Sequence, residues 1–177
     1  MILACLLVSS LMQAAPPVDI AAVYARGWDA ARAAYAQGGS AESLQPVRDA
    51  IAALDRGGAN VPGPAQIARL VLLAAAAAAQ SERDEMAIFL DQAVRLEALQ
   101  LAAGQPGAPG MTAHEAAGDL WLQVHRFDDA REAYERAAAV LGMTPRIARA
   151  LADVNARQKR TQPPSEVAPA PSARPRR

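Results

Sequence analysis

The chain has 177 residues, enough for one domain with its own core, and 52% of them are apolar although only 4% are aromatic. Its formal charge of zero hides an imbalance: Asp19 to Gln158 carries 13 Arg against 17 Asp and Glu, whereas Lys159 to Arg177 carries five basic residues against one acid. An acidic body argues against a nucleic-acid partner, which needs a clustered basic footprint, and a single cysteine, Cys5, excludes an internal disulfide.

Residues 1–15 contain no charged side chain. An apolar run from Met1 to Val8, continued by Leu11 and Met12, leads to Ala14-Ala15 and then Pro16-Pro17. This order predicts a cleaved export signal and hence a periplasmic or secreted chain. An uncleaved apolar anchor touching the membrane and a simple N-terminal core segment are the alternatives; the run is shorter than the roughly 20 residues that span a bilayer.

Residues 16–158 read as helical throughout, because no stretch alternates apolar and polar residues as a half-buried strand would. The first helix runs from about Asp19, which caps it, to Gln37 before Gly38-Gly39, with Gly27 as a weak point in its middle. With Ser43 as N-cap, Pro46 falls in the first turn of the second helix, where proline is tolerated. A loop over 60–63 precedes a third helix that opens at Pro64. Its uncharged run, Leu70 to Ala79, is half a membrane span and predicts a buried core helix. Ser81 is expected to cap the fourth helix, whose face Met86, Leu90, Ala93, Val94 stays apolar until Glu97.

Gly104 to Gly110 is a loop, and Thr112-Ala-His-Glu115 is a capping box that starts a helix reaching about Val124. His125-Arg-Phe127 turns the chain, and the next helix begins at Asp128 or Asp129 and stops at Gly142. Thr144-Pro145 opens a last helix to about Gln158. Residues 159–177 hold five prolines and few large apolar side chains, a composition that predicts a disordered basic tail.

A pattern recurs about a central alanine: Val47-Arg-Asp-Ala50, Leu90-Asp-Gln-Ala93 and Tyr134-Glu-Arg-Ala137, spaced 43 and 44 positions apart. A regular interval of this size signals stacked helical hairpins. Within the last hairpin, Gly118, Trp121, Phe127, Ala130, Tyr134 and Ala137 place small and aromatic residues where a tetratricopeptide repeat has them. Residues 114–142 resemble that family, with His125 standing where glycine is usual and Pro145 about three positions late. The resemblance implies an all-α fold, a short right-handed α-solenoid of five to six helices and a capping helix. Another helical-hairpin array with a longer repeat is the structural alternative.

The resemblance also implies a non-enzymatic scaffold that binds a protein or peptide on a concave face. In the last hairpin that face would carry Glu115, Asp119, Leu122 and Gln123, and in the one before it Val71, Ala75, Ala78 and Ala79. The groove is then expected to be apolar in its middle and acidic at one end, unless those alanines simply pack on the neighbouring hairpin. A structural subunit of an envelope complex or homo-oligomer is the alternative function, and a small enzyme a remote one. No motif for a metal, a cofactor or a nucleophile stands out: His114 and His125 lack companion ligands, Asp128-Asp129 suits a helix N-terminus, and Trp28 and Trp121 suit core anchors.

Overall fold

The computed structural model describes residues 18–57 and 62–161, so the predicted export signal, the segment 58–61 and the tail from 162 lie outside the described residues. All regular structure among the described residues is helical: α1 (Ile20–Ala36), α2 (Gln45–Gly57), α3 (Pro62–Ala79), α4 (Arg83–Ala102), α5 (Ala113–Gln123), α6 (Phe127–Leu141) and α7 (Pro145–Thr161). Each helix packs on the next in the pairs α1–α2, α3–α4 and α5–α6, and α1, α3, α5 and α7 also meet in succession. No helix among the described residues is long and apolar enough to cross a membrane.

The alanine run makes α3 the centre of the core. Ile67, Ala68, Val71, Leu72 and Ala74 have no exposed surface, and the small side chains let α1, α2, α4 and α5 all reach it. Gly27 does not break α1. It is buried, and an added Cβ would stand 2.6 Å from Leu72 Cδ1 and 2.9 Å from Ala50 Cβ, so it is the price of close packing. Gly118 has the same role in α5: a Cβ there would lie 2.6 Å from the ring of Tyr134 on α6. Ala50, Ala93 and Ala137, the recurrent alanines, are all buried.

Several helix starts differ from the sequence expectation. Asp19 caps α1, its Oδ1 accepting from the Ala22 N–H at 3.0 Å, and Thr112 and Glu115 form the capping box of α5. Ser81, expected as an N-cap, instead adopts a left-handed backbone (φ 65°) that terminates α3, and Glu82 takes the N-cap place with no side-chain bond. Similarly, α6 starts at Phe127, one residue before the aspartates, with Arg126 as N-cap. Helix α2 begins at Gln45, one position later than a Ser43 cap implies, and α3 begins at Pro62 rather than Pro64. Helix α7 continues through Lys159 and Arg160 to Thr161, so part of the basic excess assigned to the tail is helical.

Candidate functional site

A polar network joins α5, α6 and α7, and it begins with the capping box. Glu115 Oε2 accepts from the Thr112 N–H at 3.1 Å and from its hydroxyl at 3.2 Å. Its Oε1 accepts from Arg146 Nη1 of α7 at 2.5 Å. The same guanidinium donates through Nη2 to Asp119 Oδ2 at 2.8 Å, while Asp119 Oδ1 accepts from the Tyr134 hydroxyl at 2.5 Å. Glu115 and Asp119 are one helical turn apart, so one Arg fork spans both. Burial raises the carboxyl pKa of Asp119, although Tyr134, Arg146 and Arg32 act against it. Burial, reinforced by Asp119, pushes the Tyr134 phenol up.

A second buried acid lies beside this network. Glu97 of α4 takes the Ala113 N–H at 2.7 Å and the Ala108 N–H at 3.0 Å, holding both the 104–110 loop and the first turn of α5. Burial raises its pKa, and those two backbone bonds oppose the rise. The helix dipole favours a negative charge at this spot, the N-terminus of α5. The Tyr24 hydroxyl is buried nearby without a hydrogen-bond partner among the described residues, and desolvation with the fields of Glu97 and Asp119 raises its pKa.

Outside the network a cleft of about 440 Å³ opens between three helices. Trp28 and Arg32 line it from α1, Asp119, Leu122 and Gln123 from α5, and Arg146, Asp153 and Arg157 from α7. The Tyr35 hydroxyl donates to the Gln123 carbonyl at 3.0 Å and ties α1 to α5 at one end. Leu122 is a mostly buried floor residue and Asp119 has both oxygens engaged. The Gln123 side chain and Arg32 make no hydrogen bond or ion pair among the described residues, and Arg157 meets Asp153 at 3.0 Å.

Of the four residues expected to face a partner, the structure therefore places three in one cleft: Asp119, Leu122 and Gln123. Glu115 is buried behind it in the capping box. Val71, Ala75, Ala78 and Ala79 are buried core residues. The cleft is also not an acidic pocket, because Arg32, Arg146 and Arg157 share it with Asp119 and Asp153. Sequence reasoning missed those three arginines and Glu97. A buried-face acid in an otherwise apolar helical stripe was the available signal for Glu97; Arg146 had none, since its partners are 27 and 31 positions away.

Trp121 lies elsewhere, at a smaller groove between α4, α5 and α6 with His114, Asp91, Asp129 and Glu132. The Arg126 guanidinium stands 5.7 Å from its ring centroid. Burial, helped by Arg136, lowers the His114 pKa, so this imidazole favours the neutral form. Among the described residues, no group of three or more His, Cys, Asp and Glu side chains converges as a metal site. Comparison of the chain with protein-family models, with curated proteins and with solved structures gave no match.

Proposed function

We propose that this chain is an exported, non-enzymatic scaffold of tetratricopeptide type, a short right-handed solenoid that binds a protein or peptide segment in the cleft between α1, α5 and α7. One observation carries the proposal: the cleft draws its walls from three helices distant in sequence, and it holds side chains, Arg32 and Gln123, that no bond within the described residues requires. The groups with shifted pKa values point the same way. Glu97, Asp119 and Tyr134 are each committed to bonds that fasten one helix to another, which is a structural use of buried charge. The close approach of Gly118 to Tyr134 supports the family resemblance, since small-against-large packing is the physical content of that motif.

The test uses side chains that the fold does not need. Asp119 and Leu122 are poor choices, because one holds Tyr134 and Arg146 and the other is floor. Arg32→Ala with Gln123→Ala is expected to weaken capture of a partner co-purified from the native membrane fraction by about tenfold or more. Its thermal midpoint should match that of the parent chain. Undiminished capture by this double variant excludes the cleft.

A second reading, a subunit that assembles through an apolar surface, is favoured by Val140, Leu141 and Met143, large hydrophobic residues exposed where α6 passes to α7. Light scattering at micromolar concentration separates the two: a dimer lost on Val140→Ser with Met143→Ser supports assembly, and a monomer excludes it.

A further inference from the structure

The helices alternate in direction, so the array has two ends, and their chemistry differs. At one end Val18 lies against Gly57 at the close of α2, and Gly63 in α3 lies against Gln100 near the close of α4. Arg146, in the first turn of α7, reaches the Met111 sulfur just before α5 at 3.1 Å, which puts these helix ends there too. At the other end Gly39 lies on the Ala79 carbonyl, the Tyr35 hydroxyl reaches the Gln123 carbonyl, and Gln158 reaches Asp128. The links at this second end are charged. Glu42 stands between α1 and α2, Glu82 to Glu85 are four charges in succession, and Arg126, Asp128 and Asp129 flank the start of α6.

At the first end, Ala98 to Ala113 and Ala137 to Pro145, the stretches joining α4 to α5 and α6 to α7, hold no charged side chain. Among the described residues seven large hydrophobic side chains are exposed, and six lie here: Val18, Leu99, Leu101, Val140, Leu141 and Met143. Ile88 is the exception. Leu99 and Met143 are the most open, at 68% and 62%. Few charges stand near them. Asp19 is turned into the cap of α1, Arg56 opposes it in sign, and Arg146 is bound by Glu115 and Asp119. An apolar, nearly charge-free end marks an interaction surface, and one that gains nothing from the sign of its partner's charge.

We infer that this end seats on the interface of a neutral lipid bilayer, with Leu99, Leu101, Val140, Leu141 and Met143 entering it. What selects lipid over a second copy or another protein is the chain that joins here. Residues 1–17 lead into Val18, and the first 15 hold no charge and the apolar run Met1 to Val8 with Leu11 and Met12. That run is shorter than the roughly 20 residues that cross a bilayer, yet it suffices to enter the interface. One short apolar element holds a membrane weakly, and a second at the same end makes the attachment stable. The exposed side chains stand on the ends of two helices and in the links that follow them, and a fluid surface accepts such separate points without a matched shape. This goes beyond the binding-scaffold proposal, and neither requires the other.

The probe is a phosphatidylcholine vesicle, mixed with the full 177-residue chain and read by flotation. The chain is expected to float, with a partition that changes by less than about twofold up to about 0.3 M salt, since no ion pair is involved. Leu99→Ser with Met143→Ser should weaken partition by about tenfold or more at an unchanged thermal midpoint. Leu99→Trp with Met143→Trp should strengthen it by about threefold or more, because indole favours the interface. Ile88→Ser, an exposed residue away from this end, should leave it within about twofold.

Full partition by the serine double variant overturns the proposal, leaving residues 1–12 as the sole contact. Flotation only with phosphatidylglycerol, lost at the higher salt, overturns it in favour of the basic residues from Lys159 onward. A dimer in light scattering that the serine variant dissolves, with no flotation, assigns the end to a second copy. Neither flotation nor a dimer refutes the lipid surface as well. Partner capture through Arg32 and Gln123 is read separately, so the scaffold proposal stands or falls by its own test.

Discussion

Helices α3–α4 and α5–α6 are built on the same turn and perform different work. Shifting the first pair by 44 positions superimposes Ser81 on His125, Ala74 on Gly118, Leu90 on Tyr134, and Val71 and Ala75 on Glu115 and Asp119. Both turns have a three-residue link with one left-handed residue, Ser81 at φ 65° and His125 at φ 63°. In both, the next N–H reaches back five residues, Glu82 to the Ala77 carbonyl at 2.9 Å and Arg126 to the Trp121 carbonyl at 2.8 Å. Local backbone chemistry is therefore shared. The difference lies in what meets the first helix of each pair: α1 covers α3 and leaves Val71 and Ala75 in a dry core, whereas α7 brings Arg146 to α5 and leaves a cleft beside it. The lesson is that a repeated hairpin becomes a core or a site according to its neighbour.

The largest expected effect concerns the join between the two hairpins. Glu97→Leu keeps bulk but leaves the Ala108 and Ala113 N–H groups without their acceptor, at a cost of about 3 kcal/mol in denaturant unfolding. Amide exchange should quicken over residues 104–113 first. Leu141, which occupies the matching place on α6, is exposed and holds nothing, so Leu141→Ala should change stability by less than about 0.5 kcal/mol.

Glu97 also carries a pH signature. Its folded pKa is raised by burial, so the folded state holds a proton more readily than the unfolded chain does. The stabilisation is complete below the unfolded value, near 4.3, and is lost as pH rises through the elevated folded value. Asp119 shifts in the same direction. Unfolding free energy measured upward from about pH 4.5 should therefore show a declining component that Glu97→Gln diminishes. A component of unchanged size in that variant excludes Glu97 as its source.

Next in size is the contact that separates Gly118 from Ala74. Gly118→Ala drives a methyl against the Tyr134 ring and should cost about 2 kcal/mol, despite the better helix propensity of alanine. Tyr134→Leu, which copies the α3–α4 pair, should abolish most of that penalty in the double variant, read as a coupling energy in a mutant cycle. Additive losses mean that the ring is not what the glycine accommodates.

The smallest effect sharpens the likeness of the turns. Helices α1 and α4 place Gly38 and Gly104 at the left-handed position (φ 78° and 69°) that Ser81 and His125 fill in the other two. His125→Gly and Ser81→Gly should each raise stability by about 0.5 kcal/mol, relieved strain outweighing the extra unfolded-state entropy. Opposite signs at the two sites, measured by thermal unfolding, contradict their equivalence.

Much of the fold was legible because the signals are short-range. The cap at Asp19, the box at Thr112 and Glu115, and the break over 104–110 each involve groups within a few residues of one another. The alanine run of α3 announced a core helix, since it is too apolar to be exposed and too short to span a bilayer. The turns misled at Ser81 and at Asp128 because a polar residue suited to an N-cap also suits other places near a helix end, and backbone conformation decides between them. At the site, Asp119, Leu122 and Gln123, which the repeat resemblance implied for one face, fall together, whereas Glu115 turns inward to its own cap.

By itself the sequence determined an all-helical chain, where most of its helices begin and end, and which residues are small enough to let two helices touch. These are consequences of hydrogen bonds and side-chain volumes acting over a turn or two. Tertiary structure alone decided that Arg146 bridges Glu115 and Asp119, that Glu97 fastens the next hairpin, and that arginines as well as acids line the cleft. Ion pairing depends on which groups packing brings within a few ångströms and removes from water, and no local pattern specifies a partner some 30 residues away.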